Sequence, residues 1–138
     1  VTVLEELRGS PVVPYAEGRP AARVVMVTGR RSGQPRPFGV NVTTVDGRHY
    51  ACSATRERAW VRNLLAAGRC RIERDGADGS DTERVPVLVD GPEAARVLSI
   101  YLPQAGFRDP VLPYDLDAPV EEISRHLDHT AVIRFDPV

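Results

Sequence analysis

Asp46-Gly47 stands between two β-branched runs and is the strongest short hairpin signal in the chain. It pairs residues 37–45, with Phe38, Val40 and Val42 on one face, antiparallel to the strand of His49, Tyr50, Ala51, Cys52 and Ser53. Just upstream, Ala22-Arg23-Val24-Val25-Met26-Val27-Thr28 reads as a mostly apolar buried strand ended by Gly29. The polar, turn-forming residues 30–35 link it to the next strand. Three strands joined by hairpin-length connections are expected to be antiparallel.

After Ser53 the period changes. Trp60, Leu64 and Ala67 fall on one helical face with Val61 and Leu65 beside them, Thr55 is the expected N-cap, Glu57 lies in the first turn, and Gly68 stops the helix. Residues 69–74 read as a fourth strand, 75–81 as a solvated, flexible turn, and 82–89 as a fifth strand. A second helix over residues 93–102 has Ala94, Val97, Leu98 and Tyr101 as its apolar stripe. Residues 103–119 carry four prolines and read as an irregular lid, 119–127 as a short helix, and 131–135 as a final strand. An antiparallel sheet of this kind must cover or close its edges. The expected class is therefore α+β and mainly β, a six-stranded antiparallel barrel with two or three flanking helices. Residues 1–20 form an N-terminal arm, and 21–138 a single domain.

Length and composition bound the rest. A chain of 138 residues with 42% apolar content supplies one core. It holds no run of about 18 apolar residues, so no membrane span is expected, and its start shows no signal peptide pattern. A net charge of −1 argues against nucleic acid as a partner. Cys52 and Cys70 form no CxxC pair and sit in strand-like runs, which suggests buried free thiols and a reducing, cytoplasmic compartment. His126-Leu127-Asp128-His129 reads as a surface helix end, and no metal site is expected.

The segment best suited to chemistry is Gly29-Arg30-Arg31-Ser32-Gly33-Gln34-Pro35-Arg36. Glycine lets backbone N–H groups approach an anion, serine adds a neutral donor, and arginine offers a fork matching phosphate oxygens. A charged turn that keeps a sheet edge soluble would look the same, since all 18 basic residues of this chain are arginine. Ser53-Ala54-Thr55-Arg56 offers a second anion site at the start of a helix. Antiparallel pairing brings it beside Arg36. The first segment is neither a P-loop nor a dinucleotide fingerprint, because no Gly-Lys-Ser/Thr and no helix follow it.

From Val24 to Arg36 the sequence resembles the signature of deazaflavin-dependent nitroreductase-like proteins of the split-barrel, flavin-binding superfamily. The Asp-Gly hairpin, the strand ending at Ser53 and Trp60-Val61-Arg62-Asn63-Leu64 follow in that family's order, over about residues 22–72. The resemblance implies a split β-barrel that binds reduced 8-hydroxy-5-deazaflavin (coenzyme F-420) and passes a hydride to a small quinone, enone or nitro acceptor. It implies that Arg30, Arg31, Ser32 and Arg36, in a loop completed by Gly33 and Gln34, take the phosphate and glutamates of the coenzyme's tail. The backbone of Pro37, Phe38, Gly39 and Val40 would face the ring, with Ser53, Thr55, Arg56, Trp60 and Asn63 on its other side. Tyr101 and Tyr114 are the candidate catalytic residues, shielding the ring or supplying a proton. The chain departs from the family in a shorter Ser53–Trp60 connection without its Gly- and Pro-containing loop. An FMN-dependent relative and a non-catalytic carrier of cofactor or lipid are the alternatives. Related barrels pair through a sheet face, which leaves both a monomer and a homodimer open.

Overall fold

The computed structural model describes residues 2–138; Val1, the first residue of the expected arm, lies outside it. Six strands, β1 (Pro20–Thr28), β2 (Pro35–Val45), β3 (Arg48–Ser53), β4 (Cys70–Ile72), β5 (Thr82–Val89) and β6 (Ala131–Pro137), close a barrel in the order β1-β2-β3-β6-β5-β4. Every neighbouring pair is antiparallel. Four helices accompany it: α1 (Val3–Gly9), α2 (Ala59–Ala67), α3 (Gly91–Tyr101), extended by a 3-10 turn at Leu102–Gln104, and α4 (Val120–Ser124). The expected antiparallel barrel is present, with α1 added to the two or three helices anticipated. No helix among the described residues is long and apolar enough to cross a membrane.

The hairpin behaves as its sequence requires. Asp46 and Gly47 take φ of 53° and 74°, the two positive values of a type I′ turn, and the carboxylate of Glu17 accepts from both of their N–H groups at 2.6 and 2.9 Å. The register sets Val25 opposite Phe38 and Arg23 opposite Val40, which points this set into the barrel. There Val25, Val42, Ala51, Ile72, Ile133 and Phe135 pack together, and α2 closes one end with Val61 and Leu64. A second apolar cluster lies outside the barrel wall, where Tyr50, Val89 and Val132 meet Ala94, Leu98 and Ile123 of α3 and α4.

The ladder is incomplete at one place. β2 pairs with β3 only over Thr43–Val45, whereas Tyr50–Ser53 turns to β6. From Val42 back to Pro35, β2 is therefore laddered to β1 alone, and the wall is split there.

Four local expectations need correction. Thr55 does not cap α2. Its hydroxyl takes the Glu57 N–H in a local turn at 3.2 Å, while Arg56 is tied to the carbonyls of Leu127 and Thr130, so the chain cannot wind into a helix until Ala59. On α2 itself, Leu65 is 42% exposed and Asn63 is buried in its stead. Residues 75–81 are not simply a solvated turn, because the side chain of Asp75 is fully buried against Arg84 at 2.8 Å. The fourth strand is cut to Cys70–Ile72, and Arg74 takes a φ of 56° as the chain turns toward that pair.

Candidate functional site

The loop between β1 and β2 is held by its own backbone. Gly29 N–H donates to Gln34 O at 2.8 Å and Gly33 N–H to Gly29 O at 2.9 Å. A Cβ at Gly29 would lie 2.6 Å from Ser32 Oγ and 3.0 Å from Arg36 Cγ, so a side chain there would have to displace those of Ser32 and Arg36. Ser32 Oγ accepts from the Gln34 N–H at 3.2 Å. From α2, Asn63 Oδ1 accepts both the Arg30 N–H at 3.1 Å and its guanidinium at 2.9 Å. Asn63 thus fixes the loop rather than facing a ligand with its oxygen. Arg31 and Arg36 are exposed. Among the described residues, no acid stands within ion-pair distance of either.

Beside the split lies a cavity of about 360 Å³. One wall is the unladdered stretch of β2 (Gly39, Val40, Asn41) and the end of β3 (Cys52, Ser53, Ala54), with Arg58 and Trp60 from the start of α2. The opposite wall is Leu98, Tyr101 and Leu102, followed by Ala105, Phe107, Asp109, Leu112 and Leu116 of the lid segment. Trp60 stacks on Phe38 with ring centroids 5.2 Å apart and planes 22° apart, an offset aromatic platform. Arg58 and Asp109, both in the lining, form an ion pair that joins the start of α2 to the lid segment.

A thiol and two phenols in or beside the cavity are shifted chiefly by burial. The Cys52 thiol is pushed up to about 12 and stays protonated at neutral pH. The Tyr101 phenol is also held above its usual value by burial. Tyr114 is pushed up to about 12 by burial.

The residues expected from the sequence separate into groups. Gly39, Val40, Ser53, Trp60 and Tyr101 line the cavity, and Phe38 lies under Trp60. Arg30, Arg31, Ser32, Gly33, Gln34 and Arg36 form the adjoining loop, which α2 links to the cavity through Asn63 and Trp60. Pro37 faces the groove under α1. Thr55 is spent on its turn and Arg56 on two carbonyls. Tyr114 is 3% exposed in the outer apolar cluster, is not part of the cavity lining, and its hydroxyl makes no hydrogen bond.

Sequence reasoning missed Asn41, Cys52, Arg58 and the lid residues. Alternation along the hairpin could have found Asn41 and Cys52, which project on the face opposite Val40 and Ala51. Nothing local to residues 103–119 signals which of them turn inward.

No protein-family model and no curated protein sequence matches the chain. Solved structures do. An F420-H2 dependent reductase matches at a TM-score of 0.54 and 18% identity, covering 90% of this chain and 99% of its own. A Listeria innocua protein named after pyridoxamine 5'-phosphate oxidase matches at 0.54 and 12%, covering 98% and 90%. A NimC/NimA family protein from Clostridium acetobutylicum matches at 0.53 and 14%, covering 83% and 72%. At these identities the likeness is one of architecture, and it establishes that this chain has the split-barrel fold these proteins share.

Proposed function

We propose that the chain is an oxidoreductase that holds reduced 8-hydroxy-5-deazaflavin (coenzyme F-420) along β2 and reduces a small quinone, enone or nitro compound. The observation that carries this reading is one juxtaposition. A strand edge without a ladder partner borders a cavity at one end, and at the other runs into Arg31 and Arg36, which no acid compensates. Backbone polar groups along such an edge need partners, and a flat heterocycle with amide-like edges supplies them. A phosphate- and carboxylate-bearing tail supplies what the two guanidinium groups lack. The deazaflavin fits both demands, and a cavity of about 360 Å³ is within the ordinary range for small-molecule sites.

When bound, the coenzyme supplies the hydride. The chain's own part is positioning and exclusion of water. Pro37, Phe38, Gly39 and Val40 offer the edge, and Trp60, backed by Phe38, gives an apolar wall. Arg31 and Arg36 hold the tail, with Ser32 and Gln34 shaping the loop and Arg30 locking it to Asn63. Leu98, Leu102 and Leu112 cover the cavity from outside, keeping the local dielectric low. Tyr101 is the phenol at the wall; Tyr114 stands behind it as packing. The F420-H2 dependent reductase of the same fold supports the choice of coenzyme. The neighbour named after pyridoxamine 5'-phosphate oxidase is the reason to set FMN beside it.

The test is a titration of the purified chain with the reduced deazaflavin coenzyme and, separately, with FMN, followed by single-turnover oxidation with menadione and a nitroaromatic compound. The expected result is saturable deazaflavin binding tighter than FMN binding, and acceptor-dependent return of the oxidised deazaflavin spectrum. Absence of deazaflavin binding would overturn the reading. Binding without oxidation by either acceptor would leave a carrier.

A further inference from the structure

We infer that Asn41 and Tyr101 form the polar end of an acceptor subsite, two hydrogen-bond donors on facing walls that hold the oxygen of a neutral, flat carbonyl or nitro compound. This inference rests on the reading just given and specifies its substrate class. Asn41 lies opposite Ala22 in the β1–β2 register, alternating with the inward-packed Val40, so its side chain leaves the barrel toward α3. Tyr101 is the last residue of α3. The two meet with Asn41 Nδ2 donating to the Tyr101 hydroxyl oxygen at 3.5 Å, the outer limit of a hydrogen bond. Neither group is fully used by so long a contact. Asn41 keeps a second N–H, and Tyr101 keeps its own O–H, since its oxygen is here the acceptor. An oxygen atom placed against the pair receives one donor from each side.

The surroundings decide what carries that oxygen. Leu98, Leu102, Phe107, Leu112 and Leu116 make most of the rest of the outer wall apolar, with Asp109 as its one acid. The one cation in the lining, Arg58, is already paired with Asp109. An anionic acceptor would meet no unpaired positive charge in this lining and would face the Asp109 carboxylate, so whatever hydration it gave up would not be replaced. A neutral ring with one exposed oxygen loses little water and gains two donors. Burial also holds the Tyr101 phenol above its ordinary value, so it stays protonated and able to donate through neutral pH.

Trp60, the chain's sole tryptophan, lines the same cavity, so quenching of its fluorescence reports occupancy without turnover. The probes are menadione, its water-soluble sulfonate derivative, and 2-methylnaphthalene, a ring of similar shape without oxygen. The expected result is menadione binding that weakens about five- to tenfold in Asn41→Leu and again in Tyr101→Phe, the effect of one lost hydrogen bond each. Methylnaphthalene binding is expected to change less than twofold, and the sulfonate to bind the wild type more weakly than menadione. Tyr101→Phe removes a single oxygen atom, and its near-ultraviolet circular dichroism is expected to match the wild type. Unchanged menadione affinity in both variants would overturn the inference, as would equal binding of menadione and its sulfonate. A parallel titration with the deazaflavin coenzyme separates this from the reading above. Coenzyme affinity is expected to stay within twofold in both variants, and an equal loss there would assign the pair to the coenzyme's cradle instead. Failure of the wild type to bind coenzyme, with menadione still held by the two donors, would overturn the proposed function and leave the subsite.

Discussion

At the end of the barrel where β1 begins and β2 ends, charge is buried and largely answered; at the split, charge is exposed and left unanswered. Asp75, whose side chain has no exposure, accepts from Tyr15 of the N-terminal arm, from Thr82 and from Arg84. Arg23, 3% exposed inside the barrel, lies over the Tyr15 ring at 4.3 Å and donates to the carbonyls of Val13 and Ala22. His49 packs against the same ring at 4.2 Å. Around Arg31 and Arg36 nothing of this kind is built, although acids are not scarce: the chain has 19 of them. Buried, partnered ions specify how segments dock, whereas bare guanidinium groups beside a cavity contribute to binding and little to stability.

The comparison is broken most severely at Asp75. Asp75→Ala leaves Arg84 without its counter-charge, a loss of about 3–5 kcal/mol for a buried pair missing one member. Urea unfolding at neutral pH measures it, and a loss below about 1 kcal/mol would deny this end, the base of the barrel, its structural role. The pH dependence carries a sign that follows from the same contacts. Burial alone would raise the Asp75 pKa, but hydrogen bonds from Thr82, Tyr15 and Arg84 outweigh it and hold the carboxyl below its usual range. A carboxylate depressed in the folded state contributes stability that is present above its unfolded pKa of about 3.9 and is lost as pH falls through the folded value. The gap between wild type and Asp75→Ala is therefore expected to be full at pH 6 and to shrink on acidification below about pH 4. A gap that is the same at pH 6 and pH 3 would mean that the ionised form is not what is being stabilised.

At the split the expected pattern is reversed. Arg31→Ala and Arg36→Ala should each weaken deazaflavin binding by about 1.5–3 kcal/mol, tenfold to a hundredfold, with stability unchanged to about 0.5 kcal/mol. Raising the salt concentration should narrow the difference, since these groups are exposed. Arg30→Ala should differ from both. Asn63 is 8% exposed and receives Arg30 through backbone and side chain, so this substitution also loosens the loop and lowers stability. Equal stability losses in all three variants would erase the distinction between a ligand-facing and a loop-locking arginine.

What the sequence disclosed follows the same line. The hairpin at Asp46-Gly47, the inward face of Phe38, Val40 and Val42, and the glycine-bounded turn before Arg36 are set by local stereochemistry, which neighbouring residues display. The base was not legible, because Asp75 opens a stretch of Gly, Ala, Ser and Asp that looks solvated, while its partner Tyr15 lies 60 residues upstream. Thr55 misled for a related reason. Its hydroxyl suits a cap, but Arg56 finds two carbonyls more than 70 residues away, and those contacts determine where the helix begins. Asn63 falls within the recognisable Trp60-to-Leu64 segment, yet its work on the β1–β2 loop depends on the loop's placement across the barrel end.

The smallest expected effect concerns the one paired cation at the cavity, and it tests whether pairing alone makes a charge structural. Arg58 and Asp109 join the start of α2 to the lid, with side chains 45% and 25% exposed. An exposed pair of this sort contributes about 0–1 kcal/mol, so Arg58→Ala should barely move the unfolding midpoint. Its effect should appear in kinetics, because the pair ties two walls of the cavity together: menadione should associate and dissociate faster, with affinity changed less than threefold. Stopped-flow quenching of Trp60 resolves the two rates. A stability loss near that of Asp75→Ala would place Arg58 with the base residues, and the division between the two ends would then rest on pairing rather than on burial.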